Sequence, residues 1–314
     1  MNPSPHQPPQ LARANGIDLC YEIFGDPAAE PMLLIMGLGA QMIHWDDDFC
    51  RQLAARGFRV IRFDNRDIGK SSRLSGGKRL TAMELLKLRF LRIPVQAPYK
   101  LRDMAEDTVG LMDALRIKSA HLVGASMGGM IAQEIAISFP ERVRSLTSIM
   151  SSTGNPKLPQ ASREAMAILM APPPATREEY LDRFVKTWKV LRVGSFPEDE
   201  ELDIARGKRT YERGLNPAGV GRQLRAILAS GSRKERLSAV KAPTLVIHGT
   251  VDPLVRPEGG MDTAASIPGA KLLMIPGMGH ALPIPFWPQI IDAIARHAKE
   301  ASGKAAHQSK ERVS

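Results

Sequence analysis

A serine hydroxyl attacks a carbonyl only when a base takes its proton and nearby donors stabilise the negative charge that builds on the substrate oxygen. The stretch HLVGASMGGMIAQEIA offers the first of these parts. Ser126 stands between Gly124 and Gly128, after an apolar run and before a segment of helical periodicity. A strand that turns this tightly into a helix leaves no room for side chains two positions either side, while the serine at the apex projects above the sheet; this is the nucleophile elbow. The helix that follows points its positive end and free amides at the same spot. A chance tight turn with an incidental serine is the competing reading, and the strand before and helix after count against it.

Such a serine needs a histidine, and the histidine needs a carboxylate to fix its tautomer; after a serine elbow the chain order is serine, acid, histidine. His6, His44 and His121 precede Ser126 and are disfavoured by that order, with His44 left as a residue that can line a pocket. His248 ends an apolar run and reads as a packed or hydrogen-bonded histidine, while His297 and His307 read as solvent-exposed, on the last helix and in the tail. That leaves His280, in IPGMGHALP, as the base. The acid is Asp252 in TLVIHGTVDPLV, just past a buried strand, with Pro253 fixing the turn behind it. One strand earlier, SLTSIM is followed by SSTGN, which has no carboxylate to compete. The competing reading of Asp252 is a plain surface-turn aspartate.

Two backbone amides are expected to hold the oxyanion: Met127, directly after the serine, and Leu38 in LLIMGLGAQ, where Gly37 and Gly39 permit close approach. The same glycines are a poor dinucleotide fingerprint, because the third glycine is missing and position 42 is Met.

These residues need a frame that brings distant segments to one edge. Short apolar runs alternate with helix-like segments, the pattern of an α/β fold with a mostly parallel sheet. The expected strands are Ile17 to Gly25, Pro31 to Gly37, Arg59 to Asp64, Ala120 to Gly124, Ser145 to Met150, Thr244 to Gly249 and Lys271 to Gly277. Helices are expected over Trp45 to Arg56, Leu101 to Leu115, Met127 to Ser138, Pro257 to Ala265 and Pro288 to His297. Between residues 155 and 235 the strand signal vanishes, and helix-like stretches follow one another around Ala161 to Met170, Thr176 to Leu191, Glu198 to Arg213 and Ala218 to Ala229. This reads as a helical cap inserted before the last two strands. The expected organisation is a flexible segment 1–15, a core of 16–154 and 236–298, the cap 155–235, and a disordered tail 299–314. In the cap, Met166, Met170, Phe184 and Trp188 can line an apolar acyl pocket, although their helical spacing favours packing within the cap itself.

Composition narrows the function classes. The 314 residues are 43% hydrophobic and 24% charged, enough apolar material for a sizeable core and unlike a disordered or fibrous chain. A net charge of +10 is spread among interleaved acids, without the aromatic-punctuated basic stripe of a nucleic-acid binder, so no nucleic-acid partner is expected. Cys20 and Cys50 have neither the number for a disulfide framework nor the spacing for zinc, and read as small buried hydrophobes. The proline-rich start MNPSPHQPPQ lacks the apolar stretch of a secretory signal, and no run of 18 apolar residues occurs, so the expectation is a cytoplasmic protein without a membrane span. Peripheral membrane contact and oligomeric state stay open.

Taken as a set, from about residue 16 to 298, these motifs resemble those of the α/β-hydrolases. Within that superfamily LLIMGLGAQMIHWDDDF and VIRFDNRDIGKSS resemble the aclacinomycin methylesterase-like and LipG-like bacterial esterases. The resemblance implies hydrolysis of small-molecule carboxylic esters with no metal and no organic cofactor. It also implies that the Asp64-Asn65-Arg66-Asp67 turn braces the loops around the pocket. Met36-Gly37 stands where many relatives have histidine-glycine before the oxyanion loop. Thioesterase, lipase, lactonase, perhydrolase and carbon–carbon hydrolase chemistry share the same triad. A serine rather than an aspartate at the elbow argues against dehalogenase and epoxide hydrolase chemistry. From a different class, a ligand-binding protein that kept the fold without turnover is the rival.

Overall fold

The computed structural model describes residues 6–76, 80, 81, 83, 84, 91, 93, 95–193 and 200–311. Its centre is an eight-stranded sheet of β1 (His6–Ala14), β2 (Ile17–Phe24), β3 (Glu30–Ile35), β4 (Phe58–Phe63), β5 (Ala120–Ala125), β6 (Val143–Ile149), β7 (Thr244–Gly249) and β8 (Lys271–Ile275). The strand order is β1-β2-β4-β3-β5-β6-β7-β8, antiparallel at β1/β2 and β2/β4 and parallel from β4 onward. The middle strands are buried on both faces, which is why they read as unbroken apolar runs and not as an alternation.

Helices cover both faces. The helices α1 (Asp47–Ala55) and α9 (Trp287–Glu311) pack one side, where Phe49, Leu53, Ile290 and Ile294 meet Leu34, Val60 and Val123. On the other side α2 (Leu101–Ala114) and α3 (Met127–Ser138) bring Met104, Leu111, Ile131 and Ile135 against Leu33, Ile61 and Leu122. The helix α8 (Pro257–Ser266) packs on β7 and β8. Between β6 and β7 lies a helical insert of α4 (Arg163–Met170), α5 (Arg177–Leu191), α6 (Glu200–Arg213) and α7 (Pro217–Ser230). Side-chain caps from Ser162, Thr176 and Asn216 start three of these helices, each accepting a backbone N–H of the first turn.

Both chain ends differ from the sequence expectation. Residues 6–14, read as part of a flexible segment, form the edge strand β1, whose ladder slips between Gln7 and Gln10. Pro8 and Pro9 occupy that slip; without amide hydrogens they fit only an edge or a bulge, and they hide the strand pattern from a sequence reading. At the other end, helix runs to Glu311 where a disordered tail was expected from residue 299. It continues because its inner face stays buried through Ala298 and Ala301, and Ser302 Oγ donates to Glu30 Oε2 at 2.9 Å. His297 lies on that face, buried, with Nε2 donating to the Pro243 carbonyl at 3.1 Å, so its expected exposure was wrong. The side chain of His307 lies outside the described residues.

Candidate active site

Ser126 sits between the end of β5 and the start of α3 with φ +55° and ψ −120°. A non-glycine residue held there costs on the order of 1–3 kcal/mol, and the surroundings enforce it. Its N–H donates to the Ile149 carbonyl at 2.9 Å, and its carbonyl accepts Ser151 Oγ at 2.8 Å. The two flanking glycines are required by crowding: a Cβ on Gly128 would stand 2.0 Å from the Ile35 carbonyl oxygen, and one on Gly124 would stand 2.2 Å from the Gly128 oxygen.

His280 lies in the turn between β8 and α9, its own N–H tied to the Leu191 carbonyl at the end of α5 at 2.7 Å. Its Nδ1 is 2.7 Å from Asp252 Oδ2 and its Nε2 is 3.0 Å from Ser126 Oγ. A carboxylate oxygen can only accept, so Nδ1 carries the hydrogen and Nε2 is left bare toward the serine hydroxyl. Asp252 follows β7, fully buried, and its Oδ1 accepts the amides of Leu254 and Val255 at 2.9 Å each. Burial works to raise this carboxyl, but His280 and His248 outweigh it and bring it down to about 2. The sequence reading gave His248 as a packed or hydrogen-bonded histidine. Its Nε2 does donate to the Val255 carbonyl at 2.8 Å, but it also lies 3.4 Å from Asp252 Oδ2. The four-residue step from His248 to Asp252 was the available signal.

Both expected oxyanion residues neighbour Ser126. Met127 is the first residue of α3, and the loop carrying Leu38 runs so close that a Cβ on Gly37 would lie 3.1 Å from Ser126 Cβ. The turn after β4 braces this loop. Asp64 accepts the Met42 amide at 2.7 Å, Asn65 Nδ2 donates to the Met36 carbonyl at 2.9 Å, Arg66 pairs with Asp107, and Asp67 accepts Tyr99 Oη at 2.8 Å. The insert joins the same network. Arg213 reaches Asp64 at 2.5 Å, and Arg222 grips Asp67 through two bonds of 2.8 and 2.6 Å.

Ser126 and His280 open into a cavity of about 490 Å³. Leu38 and Met150 from the core and Ile168, Leu169, Tyr180, Phe184, Trp188, Val220 and Leu224 from the insert make its walls largely apolar. Met170, Phe184 and Trp188 line the cavity, and Phe184 and Trp188 also pack within the insert as expected, their ring centres 6.1 Å apart and Phe184 5.8 Å from Tyr180; Met166 does not line the cavity and is 37% exposed. His44 is a wall residue, packed 5.7 Å from Phe184 and 5.5 Å from Trp188 between ring centres. Burial, with Arg206 adding to it, pushes this imidazole down to about 3, so it is neutral at ordinary pH. Cys20 and Cys50 are both buried free thiols, and burial raises them to about 11 and about 12. Among the described residues no group of three or more His, Cys, Asp or Glu is placed to hold a metal ion, and no helix is long and apolar enough to cross a membrane.

The profile of the alpha/beta hydrolase fold family matches residues 30–285. The chain is a member of that family. This α/β-hydrolase is 30% identical to a rhodomycin D methylesterase of Streptomyces sp. strain C5, the match covering 94% of its own length and 99% of the relative's. A hydrolase from Pseudomonas aeruginosa superposes with a TM-score of 0.68 at 25% identity, covering 92% of this chain and 97% of that one. A meta-cleavage product hydrolase from Pseudomonas fluorescens gives 0.72 at 21% identity over 93% and 98%, a likeness of fold. The resemblance read from the sequence, to the family and to its methylesterase branch, therefore holds.

Proposed function

We propose that this α/β-hydrolase cleaves carboxylic esters through an acyl-enzyme on Ser126. The observation that carries the reading is His280 bridging Ser126 Oγ at 3.0 Å and Asp252 Oδ2 at 2.7 Å on the floor of the cavity. Ser126 attacks the ester carbonyl while His280 Nε2 takes its proton, and the Asp252 carboxylate holds the ring and stabilises the imidazolium. The Leu38 and Met127 amides receive the charge on the carbonyl oxygen. Collapse expels the alcohol, protonated by His280; the same nitrogen then activates a water that releases the acid and frees Ser126. Residues 155–235 act as the cap that supplies most of the substrate-facing wall.

The size and apolar lining of the cavity favour a bulky, poorly charged acid part, and the methylesterase relative supports a small alcohol. Methyl esters of fused-ring aromatic acids and a p-nitrophenyl series from acetate to palmitate, offered to wild type and Ser126→Ala side by side, test the reading. The expected result is turnover in the wild type that falls by roughly a thousandfold or more in the variant. Binding of these esters without wild-type turnover would assign the cavity to a carrier instead.

A further inference from the structure

The peptide that carries the Leu38 amide lies between two others, and each neighbour is held by a side-chain carboxamide. From the core, Asn65 Nδ2 donates to the Met36 carbonyl at 2.9 Å. From α7 of the insert, Gln223 reaches down: its Oε1 accepts the Gly39 N–H at 2.9 Å while its Nε2 donates to the Arg66 carbonyl at 2.9 Å. Gln223 is completely buried. Gly39 has φ +70°, in a turn closed by a single long backbone bond, the Ala40 N–H to the Gly37 carbonyl at 3.3 Å. Val220, one turn earlier on the same helix face, presses on it closely enough that a Cβ on Gly39 would sit 3.2 Å from both methyls. The Gly39 peptide is therefore gripped from the insert by one polar and one apolar side chain. Neither Gln223 nor Asn65 is part of the cavity wall.

We infer that Gln223 is a positioning residue through which α7 fixes the Gly39 peptide and so aims the Leu38 N–H at the oxygen of the attacked carbonyl. The inference rests on the Ser126 reading above. An oxyanion donor is effective only when it points at the charge as it develops, and it costs nothing at that moment only if it is already held. A carboxamide suits the task because it presents an acceptor to the loop and a donor to the core at once. Methionine would fill the same space and make neither bond. Loss of aim would weaken transition-state binding and leave the apolar grip on the ground-state substrate intact.

The test uses the full chain as wild type, Ser126→Ala and Gln223→Met, with p-nitrophenyl butyrate as substrate and an aryl trifluoromethyl ketone as inhibitor. The ketone adds to Ser126 and places its oxyanion where the transition state has one. For Gln223→Met, kcat is expected to fall by about 10- to 100-fold, a fraction of the loss of a whole donor. KM should stay within about two-fold, and the inhibition constant of the ketone should rise in step with the loss in kcat/KM. Replacing Gly39 by glycolic acid through nonsense suppression exchanges the N–H that Gln223 accepts for an ester oxygen and leaves the Gln223 side chain and the Leu38 N–H in place, and should reproduce the loss even where Gln223→Met fails to fold. Unchanged kcat in the glycolic acid chain, or a Gln223→Met chain that loses thermal stability while its affinity for the ketone is unchanged, would overturn the inference. A wild type no faster than Ser126→Ala would instead overturn the ester reading beneath it.

Discussion

Asp252→Asn would leave a side chain of the same shape 2.7 Å from His280 but remove the charge that fixes which nitrogen carries the hydrogen. The expected outcome is a fall in kcat of about 10⁴ with little change in KM, measured on any ester the wild type turns over. Acid does not reach this group easily. Its carboxyl is depressed from 3.8 to about 2 in the folded chain, so its share of stability is present above 3.8 and is lost only as pH falls toward 2. Milder acidification acts on buried neutral histidines. His44 and His121 are lowered from 6.5 to about 3 and about 4, both chiefly by burial, so below 6.5 the unfolded chain binds more protons than the folded one. Stability is expected to fall by about 1.4 kcal/mol per pH unit for each, seen as urea midpoints that drop from pH 7 to pH 5 and drop less in His121→Gln. Ser126, Asp252 and His280 were legible in the sequence because their order and their places after strands are a one-dimensional pattern. The second contact of His248 on Asp252, and the grip of Gln223 on Gly39 across 184 residues of chain, exist only once loops meet in space.

Among the elements, the insert does more than cover the cavity. It holds the histidine turn through the Leu191 carbonyl and the turn after β4 through Arg213 and Arg222. Arg222 and Asp67 are both buried, and removing one partner strands the other's charge. Arg222→Met is expected to cost about 3–5 kcal/mol in denaturant unfolding, leaving Asp67 with the Leu74 amide and Tyr99 Oη as its donors among the described residues. The expected strands reappear within two residues at each end, as does the string of insert helices, because buried parallel strands and amphipathic helices leave opposite periodicities. The edge strand β1 was missed because two prolines break its alternation. The sequence left Phe184 and Trp188 between wall and packing because one helical stripe looks the same whether it faces another helix or a cavity, and in the fold they do both.

At the scale of the molecule, the last helix closes the structure by running back across the face that holds α1, as far as Glu30 at the start of β3. A chain ending at Lys299 loses buried Ala301 and the Ser302 hydrogen bond, and is expected to be less stable by about 1–3 kcal/mol, read as a lower Tm. The same architecture sets the timing of competence. Ser126 is presented by a strand in the middle of the sheet, yet its partners arrive on β7 and β8, after the whole insert has been threaded between. A chain emerging from synthesis amino end first therefore carries Ser126 long before His280, and the proposed acyl transfer has to wait until the final segment docks.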